Sequence, residues 1–295
     1  MKKTNRLLLC TAAIVITGII AGCSKNNSGS STVSPGTQQV LLYMTDGPGF
    51  FDHVYIDIQK VQVLVDTCSD NDDDTSKHHG WAWGWNNHQN DNADSCKLWE
   101  TLDIRAGVYD ILSFRNGLDT LFAQGVIPEG KIRKIKISLG TNNSLVKDSI
   151  TYPITIPGNN DAVIVINLRG DEWEEFETRH HRLWMDFDIG RSIVWTRDNI
   201  FILNPFIHCF IDNTTGRIKG TITPMAAFPV LTLYNNSDTA YALPNRNGDF
   251  KLRGLPAGEY SLFVNASNGY KDTTISNITV TAGKEIKLDV INLHK

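Results

Sequence analysis

Apolar and polar residues alternate with a period of two along most of this chain. In "HVYIDIQKVQVLVD" Val54, Ile56 and Ile58 oppose Tyr55, Asp57 and Gln59, and the pattern resumes with Val61, Val63 and Val65. "KIRKIKISLG" repeats it with Ile132, Ile135, Ile137 and Leu139, with a shift after Arg133 that predicts a bulge. "HRLWMDFDIG" places Leu183, Met185 and Phe187 on one face and Trp184, Asp186 and Asp188 on the other. Such alternation belongs to strands that bury one face and wet the other. "AVIVINL" and "NIFILNPFIHCFI" are apolar on successive positions and predict strands buried on both faces. Asp46-Gly47-Pro48, Asn116-Gly117, Pro157-Gly158 and Asn247-Gly248 punctuate the strands as turns. "NGLDTLFAQG", residues 116–125, is the one short stretch whose spacing predicts a helix. The pattern as a whole predicts an all-β protein built from sandwiches.

Residues 1–38 break this pattern. Lys2, Lys3 and Arg6 precede an uncharged run from Leu7 to Gly22 that is too short to span a bilayer comfortably, as in a signal peptide. The run closes on Ile20-Ala21-Gly22-Cys23, which resembles a bacterial lipobox and makes Cys23 the expected lipidated first residue of the mature chain. More than one acyl chain on that residue would anchor it stably to a membrane. The expected location is therefore the cell envelope, lipid-anchored, in the outer membrane of a Gram-negative bacterium. From Cys23 to residue 38 the chain is rich in Ser, Asn and Gly and has no apolar cluster, the composition of a flexible tether. A body of two domains follows, 39–212 and 213–295, divided at "DNTTGRIKG".

The 295-residue chain has 28 Lys and Arg against 32 Asp and Glu, a net charge of −4. Loss of residues 1–22 removes three cations and no acid, leaving about −7, which makes nucleic acid an unsuitable partner.

Two segments resemble known families. "NGDFKLRGLPAGEYSLFV" carries the motif of carboxypeptidase-regulatory-like domains: Asn247-Gly248 turns the chain, Phe250 and Leu252 alternate inward, and Pro256-Ala257-Gly258 feeds a strand with Tyr260, Leu262 and Val264 inward. That resemblance implies a seven-stranded transthyretin-like sandwich over roughly the last 80 residues, a structural or spacer module and not a catalytic one. Residues 39–212 resemble the bacterial lipoprotein domain family of unknown function 4382, through "LLYMTDGPGFFDHVYIDIQKVQV", "GVYDILSFRNGLDTLFAQGVIPEGKIRKIKISLGTNN", "YPITIP", "LWMDFDIGRSIV" and "FILNPFI". Gly47 stands where that family usually has Ala. The resemblance implies a β-rich, non-enzymatic envelope domain and transfers no activity.

Catalytic patterns are scarce. No Gly-x-Ser-x-Gly elbow, His-Glu-x-x-His or Walker loop occurs. Cys209 and His208 are neighbours on a strand and so point to opposite faces, which rules out a direct thiolate–imidazole pair and predicts a buried structural thiol. Glu177 and His180 read as solvated hairpin residues. Arg169-Gly170-Asp171 is an integrin-type tripeptide of a kind that recurs by chance.

The densest chemistry lies between Cys68 and Cys96. In an oxidising envelope these two are expected to pair. Such a disulfide closes a long loop, worth roughly 3–4 kcal/mol in the entropic picture. Asp70, Asp72 and Asp74 imitate the start of a calcium loop, but Thr75 and Trp81 stand where its Gly and Glu belong, which leaves only a looser carboxylate site with Asp91 or Asp94. His78, His79 and His88 offer imidazoles to a divalent transition metal. Trp81, Trp83 and Trp85 alternate, so an extended backbone aligns three indoles as a platform for a glycan or a protein, or folds them over the sandwich edge. The expected function is non-catalytic binding or presentation. The alternatives are a structural, pilus-like assembly subunit, suggested by paired sandwiches, and a metal-binding envelope protein using the histidines.

Overall fold

The computed structural model describes residues 33–46, 50–68, 96–114, 120–157, 162–168, 173–198 and 200–295. Val33–Lys295 forms one compact unit that contains two hydrophobic cores. The regular secondary structure of the described residues is almost entirely strand, and no helix among them is long and apolar enough to cross a membrane.

The first sandwich begins with β1 (Thr37–Thr45), β2 (His53–Asp66), β3 (Lys97–Leu102), β4 (Gly107–Asp110), β5 (Thr120–Pro128) and β6 (Lys131–Leu139). It continues with β7 (Ser144–Lys147), β8 (Ile150–Thr155), β9 (Val163–Asn167), β10 (Glu174–Glu177) and β11 (His180–Phe187). A single turn of helix, α1 (Ile189–Ser192), precedes β12 (Ile193–Trp195), β13 (Phe201–Leu203) and β14 (Ile207–Phe210). One sheet runs β10-β11-β1-β5 with β14 beside β11; the other runs β12-β13-β8-β7-β2-β6-β9, with β3 and β4 on the free side of β2.

The core is what alternation predicts. Val54, Ile56, Ile58, Val61, Val63 and Val65 from β2 pack with Ile132, Ile135 and Ile137 from β6. They face Val40, Leu42 and Met44 of β1 and Leu183, Met185 and Phe187 of β11, all essentially without exposure. Each such side chain contributes roughly 1.5–3 kcal/mol by leaving water. The expected bulge is present, since Leu64 pairs with Lys134 and Val65 with Ile132, skipping Arg133.

Four expectations are corrected. The helix predicted over 116–125 is strand β5 where it is described, antiparallel to β1 with Phe122 and Ala123 in the core; pairing along β1 overrides the local spacing. "AVIVINL" is not buried on both faces: β9 pairs only with β6 and alternates, with Ile164 and Ile166 inward. "NIFILNPFIHCFI" is two strands in different sheets, β13 against β12 and β14 against β11, joined through Asn204-Pro205-Phe206. His180 is buried, its Nδ1 2.9 Å from the Thr178 carbonyl, while Glu177 is exposed, so the β10–β11 hairpin is only half solvated.

Asp57 departs from its polar face. It is 3% exposed because the Gly140–Asn143 turn folds over it: the Asn142 N–H donates to Oδ2 at 3.2 Å and the Asp57 N–H donates to Asn143 Oδ1 at 2.9 Å. A Cβ on Gly140 would stand 2.2 Å from that carboxylate, so the turn has room for hydrogen alone.

The second sandwich contains β15 (Gly216–Thr223), a 3-10 turn at Met225–Ala227, β16 (Val230–Tyr234), β17 (Thr239–Ala242) and β18 (Asp249–Leu255). It ends with β19 (Gly258–Asn265), β20 (Thr273–Val280), β21 (Glu285–Lys287) and β22 (Ile291–Asn292). Its sheets are β18-β15-β21, with β22 also on β15, and β17-β16-β19-β20. Counting β21 and β22 as two segments along the same neighbour gives the seven-stranded transthyretin-like arrangement. Phe250, Leu252, Tyr260, Leu262 and Val264 point inward as the alternation requires. Gly248, at φ +87°, would drive a Cβ to 2.1 Å from the Ile222 carbonyl oxygen, so only glycine fits the turn before β18.

β18 lies against the outer face of the β11 sheet. Trp184, on the polar face by pattern, is 3% exposed, stacked between Tyr43 at 5.3 Å and Phe210 at 6.3 Å, with the Arg253 guanidinium 5.4 Å from its ring. Asp212 accepts from Arg253 at 2.6 Å and pairs with Arg217 at 2.9 Å, which ties the connecting turn to the second sandwich. Arg191 donates to the Thr239 carbonyl at 3.1 Å.

Candidate functional site

Strand β2, 14 residues long, carries a distinctive feature at each end. At about 3.3 Å per residue these lie roughly 40 Å apart.

At its C-terminal end β2 pairs with β3 through Asp66 and Lys97, and the Cys68–Cys96 disulfide closes the ladder with Cα atoms 5.3 Å apart. The Thr67 N–H and hydroxyl both donate to the Cys96 carbonyl at 2.9 Å. Residues 69–95 are thus an insertion in a hairpin whose two strands are joined without them. Asp66, Cys68 and Cys96 converge, but both sulfurs belong to the disulfide, and Asp66 accepts from Arg133 at 3.1 Å and from the Cys68 N–H at 3.1 Å. That group is a staple and not a metal centre. The chain enters the sandwich at this same end: Glu129 N–H donates to Gly36 at 3.0 Å, and Gln38 Nε2 to Gly130 at 2.8 Å, beside Asp66.

The residues expected to bind metal or glycan, Asp70, Asp72, Asp74, His78, His79, His88, Trp81, Trp83 and Trp85, lie outside the described residues. So do Cys23 and the Arg169-Gly170-Asp171 tripeptide. Cys209 is partly buried against the core, while His208 faces the other way, toward the second sandwich. Burial holds the His208 imidazole below its ordinary range. The strand geometry separates thiol and imidazole as expected.

At the N-terminal end of β2 the structure reveals a group the sequence reading overlooked. The inner faces of β8, β13 and β12 run past the end of the core: Ile154 is 7% exposed, Tyr152 half-buried and Ile150 55% exposed. Phe201, 1% exposed, is the hub of this overhang. Phe51 meets it edge-on at 6.0 Å, Tyr152 at 5.1 Å, and Trp195 lies parallel to it at 5.9 Å and 13°. Trp195 keeps 56% of its surface exposed, and Phe50 next to Phe51 keeps 73%. Lys147 Nζ stands 5.1 Å from the Trp195 ring centroid and 2.7 Å from Asp148 Oδ2. The Asp148 carboxylate raises the Lys147 pKa, so the ammonium remains charged. Asp52 closes the rim by accepting the Ser149 N–H at 3.0 Å. The result is an aromatic shelf backed by the core and edged with one cation and two carboxylates.

Two residue signals could have pointed there: the paired Phe50-Phe51 just before β2, and an indole at Trp195 followed directly by the polar residues Thr196, Arg197 and Asp198.

A β-sandwich with an exposed aromatic shelf, joined to a transthyretin-like sandwich, defines a two-module β protein. The chain belongs to the DUF4382 family, a domain of unknown function whose model matches residues 37–205. A carboxypeptidase regulatory-like domain matches residues 215–293. No curated protein matches the sequence.

Among solved structures, a type II cohesin–X–dockerin complex from Acetivibrio cellulolyticus is 24% identical over 26% of this chain and 56% of its own, at a TM-score of 0.22. The chain thus spans just over half the length of that relative. GBS52, a minor pilin of Streptococcus agalactiae, is 12% identical over 88% of this chain and 96% of its own, at 0.22. The shaft pilin SpaA of Lactobacillus rhamnosus GG is 9% identical over 88% and 98%, at 0.21. Overlaps this slight carry neither a shape nor a role across.

Proposed function

We propose that this is a lipid-anchored protein of the bacterial cell envelope that binds or presents and does not catalyse. The observation that carries the reading is the polarity of the first sandwich. The chain enters at the stapled end of β2, while the aromatic shelf opens at the other end, roughly 40 Å away at about 3.3 Å per residue. Cys23, the expected site of acylation, and the tether expected over residues 23–38 would supply the attachment. The carboxypeptidase regulatory-like module matched over residues 215–293 supports a non-enzymatic role.

An assembly subunit is the second reading, favoured by β20. This eight-residue edge, Thr273–Val280, pairs only with β19 and has neither charge nor proline to discourage strand addition. Ladders resistant to detergent on gels would favour it.

The test of the first reading is fractionation of cells that express wild-type protein or Cys23→Ser. Wild type should sediment with membranes, and the variant should be released or remain uncleaved. Normal processing together with continued membrane partitioning of Cys23→Ser would sink the anchor.

A further inference from the structure

We infer that the shelf of Phe51, Tyr152 and Trp195 around Phe201 is a carbohydrate site that seats a pyranose ring of a neutral glycan against the Trp195 indole. The inference rests on the binding role proposed above and names its ligand class and its place.

An indole that is 56% exposed would normally fold down or lose its definition, but Trp195 lies parallel to the buried Phe201 ring and is held in β12 by pairing with β13. Its orientation is therefore set before any ligand arrives, which reduces the entropy a ligand must overcome. An aromatic face is electron-rich and attracts the weakly positive C–H groups on the flat side of a pyranose. The hydroxyls of such a ring radiate around its edge and need both donors and acceptors there. The rim supplies them: Lys147 as donor, Asp148 and Asp52 as acceptors, with Lys147 and Asp148 already 2.7 Å apart as a pair that can bracket adjacent hydroxyls.

Two competing occupants fit less well. A peptide added as a strand needs a usable edge, and β12 offers three residues, Ile193–Trp195, against the five or six typical of a strand. An anionic membrane surface would be repelled by Asp52 and by Asp148, whose side chain is 80% exposed. A neutral glycan meets neither objection. The carboxylates that repel a membrane are the acceptors a sugar uses.

The experiment is affinity electrophoresis of the purified mature chain through gels that contain soluble xylan, mannan, starch or mixed-linkage β-glucan. Wild type should be retarded by at least one of them. Trp195→Ala should weaken that binding by about tenfold or more, with unchanged far-ultraviolet circular dichroism, and Trp195→Phe should recover part of it. Asp148→Asn should weaken it by about threefold. The triple variant Trp81→Ala, Trp83→Ala, Trp85→Ala should bind as wild type. Undiminished binding by Trp195→Ala overturns the shelf as the site. If the triple variant alone loses retardation, the binding role stands and the sugar belongs to the segment between the cysteines. If no polysaccharide retards wild type, the glycan assignment falls. Trp195-dependent flotation with phosphatidylglycerol vesicles would make the shelf a membrane contact and would also overturn it.

Discussion

The two sandwiches share an architecture and differ in how they end. In the first, strands β8, β12 and β13 carry aromatic residues past the limit of the core, and a 27-residue insertion stands on the stapled β2–β3 hairpin. In the second, short turns close the strands, as at Asn245–Asp249, where the Asn245 side chain accepts from the Asn247 and Asp249 N–H groups. Both modules expose apolar side chains, Trp195 at 56% in the first and Phe228 at 67% in the second; the first differs in that its exposed ring joins a cluster, with Trp195 parallel to Phe201 and with Phe51 and Tyr152 beside it.

A difference in side chains makes the comparison measurable. All seven tryptophans precede residue 196, so the second sandwich has no indole of its own and reaches indole emission only through its cover over Trp184. The strongest test truncates its core. Phe187, 1% exposed between the sheets, should cost about 3–5 kcal/mol as Phe187→Ala. That should lower the indole-reported melting midpoint by roughly 10 °C. The signature of a second sandwich with its own core is a later calorimetric transition that does not move. A single transition shifted as a whole would break the comparison and make both modules one cooperative unit.

Gly254 probes the contact between them. It has φ +66°, and a Cβ there would stand 2.8 Å from the Phe210 ring, which is itself buried. Gly254→Ala therefore combines left-handed strain with overpacking, about 2–4 kcal/mol in all. Because β18 covers Trp184, the variant should also shift emission to the red as Arg253 retreats from the indole. Wild-type emission and wild-type melting from Gly254→Ala would show that the two sandwiches touch only loosely.

The smallest effect concerns the second core alone. Tyr260 is 2% exposed, and its hydroxyl donates to the Pro256 carbonyl at 3.0 Å. Tyr260→Phe should cost about 1 kcal/mol at neutral pH. Burial pushes the Tyr260 phenol up to about 12, against about 10 in an unfolded chain. The folded state thus favours the protonated phenol, and the associated stability is whole below pH 10 and declines as pH rises toward 12. Unfolding titrations in denaturant should show this alkaline decline in wild type and a flatter limb in Tyr260→Phe. An equal decline in both would assign the effect to another group.

Much of the architecture was legible in single stretches of chain. Val54 through Val65, Ile132 through Ile137 and Leu183 through Phe187 announce their inner faces by alternation, because a strand has only two sides and one of them must leave water. Even the bulge at Arg133 is visible as a slip in that rhythm. The Asn247-Gly248 turn and the Cys68–Cys96 pairing follow equally from local chemistry.

Other features required the assembled molecule. Residues 120–125 become strand because β1 offers a partner, which no local spacing records. Asp57 and Trp184 sit on faces that alternation assigns to water, and each is buried by something distant in sequence: the turn at Gly140–Asn143 for one, strand β18 for the other. The shelf was hidden for the same reason. Phe51, Tyr152, Trp195 and Phe201 come from four separate segments, and nothing in any one of them says that the core ends between Ile154 and Ile150. A sequence determines which face of each strand is apolar, since that is a property of neighbouring residues. Where the apolar faces run out of partners depends on strand order and register, and so only the tertiary structure decided it.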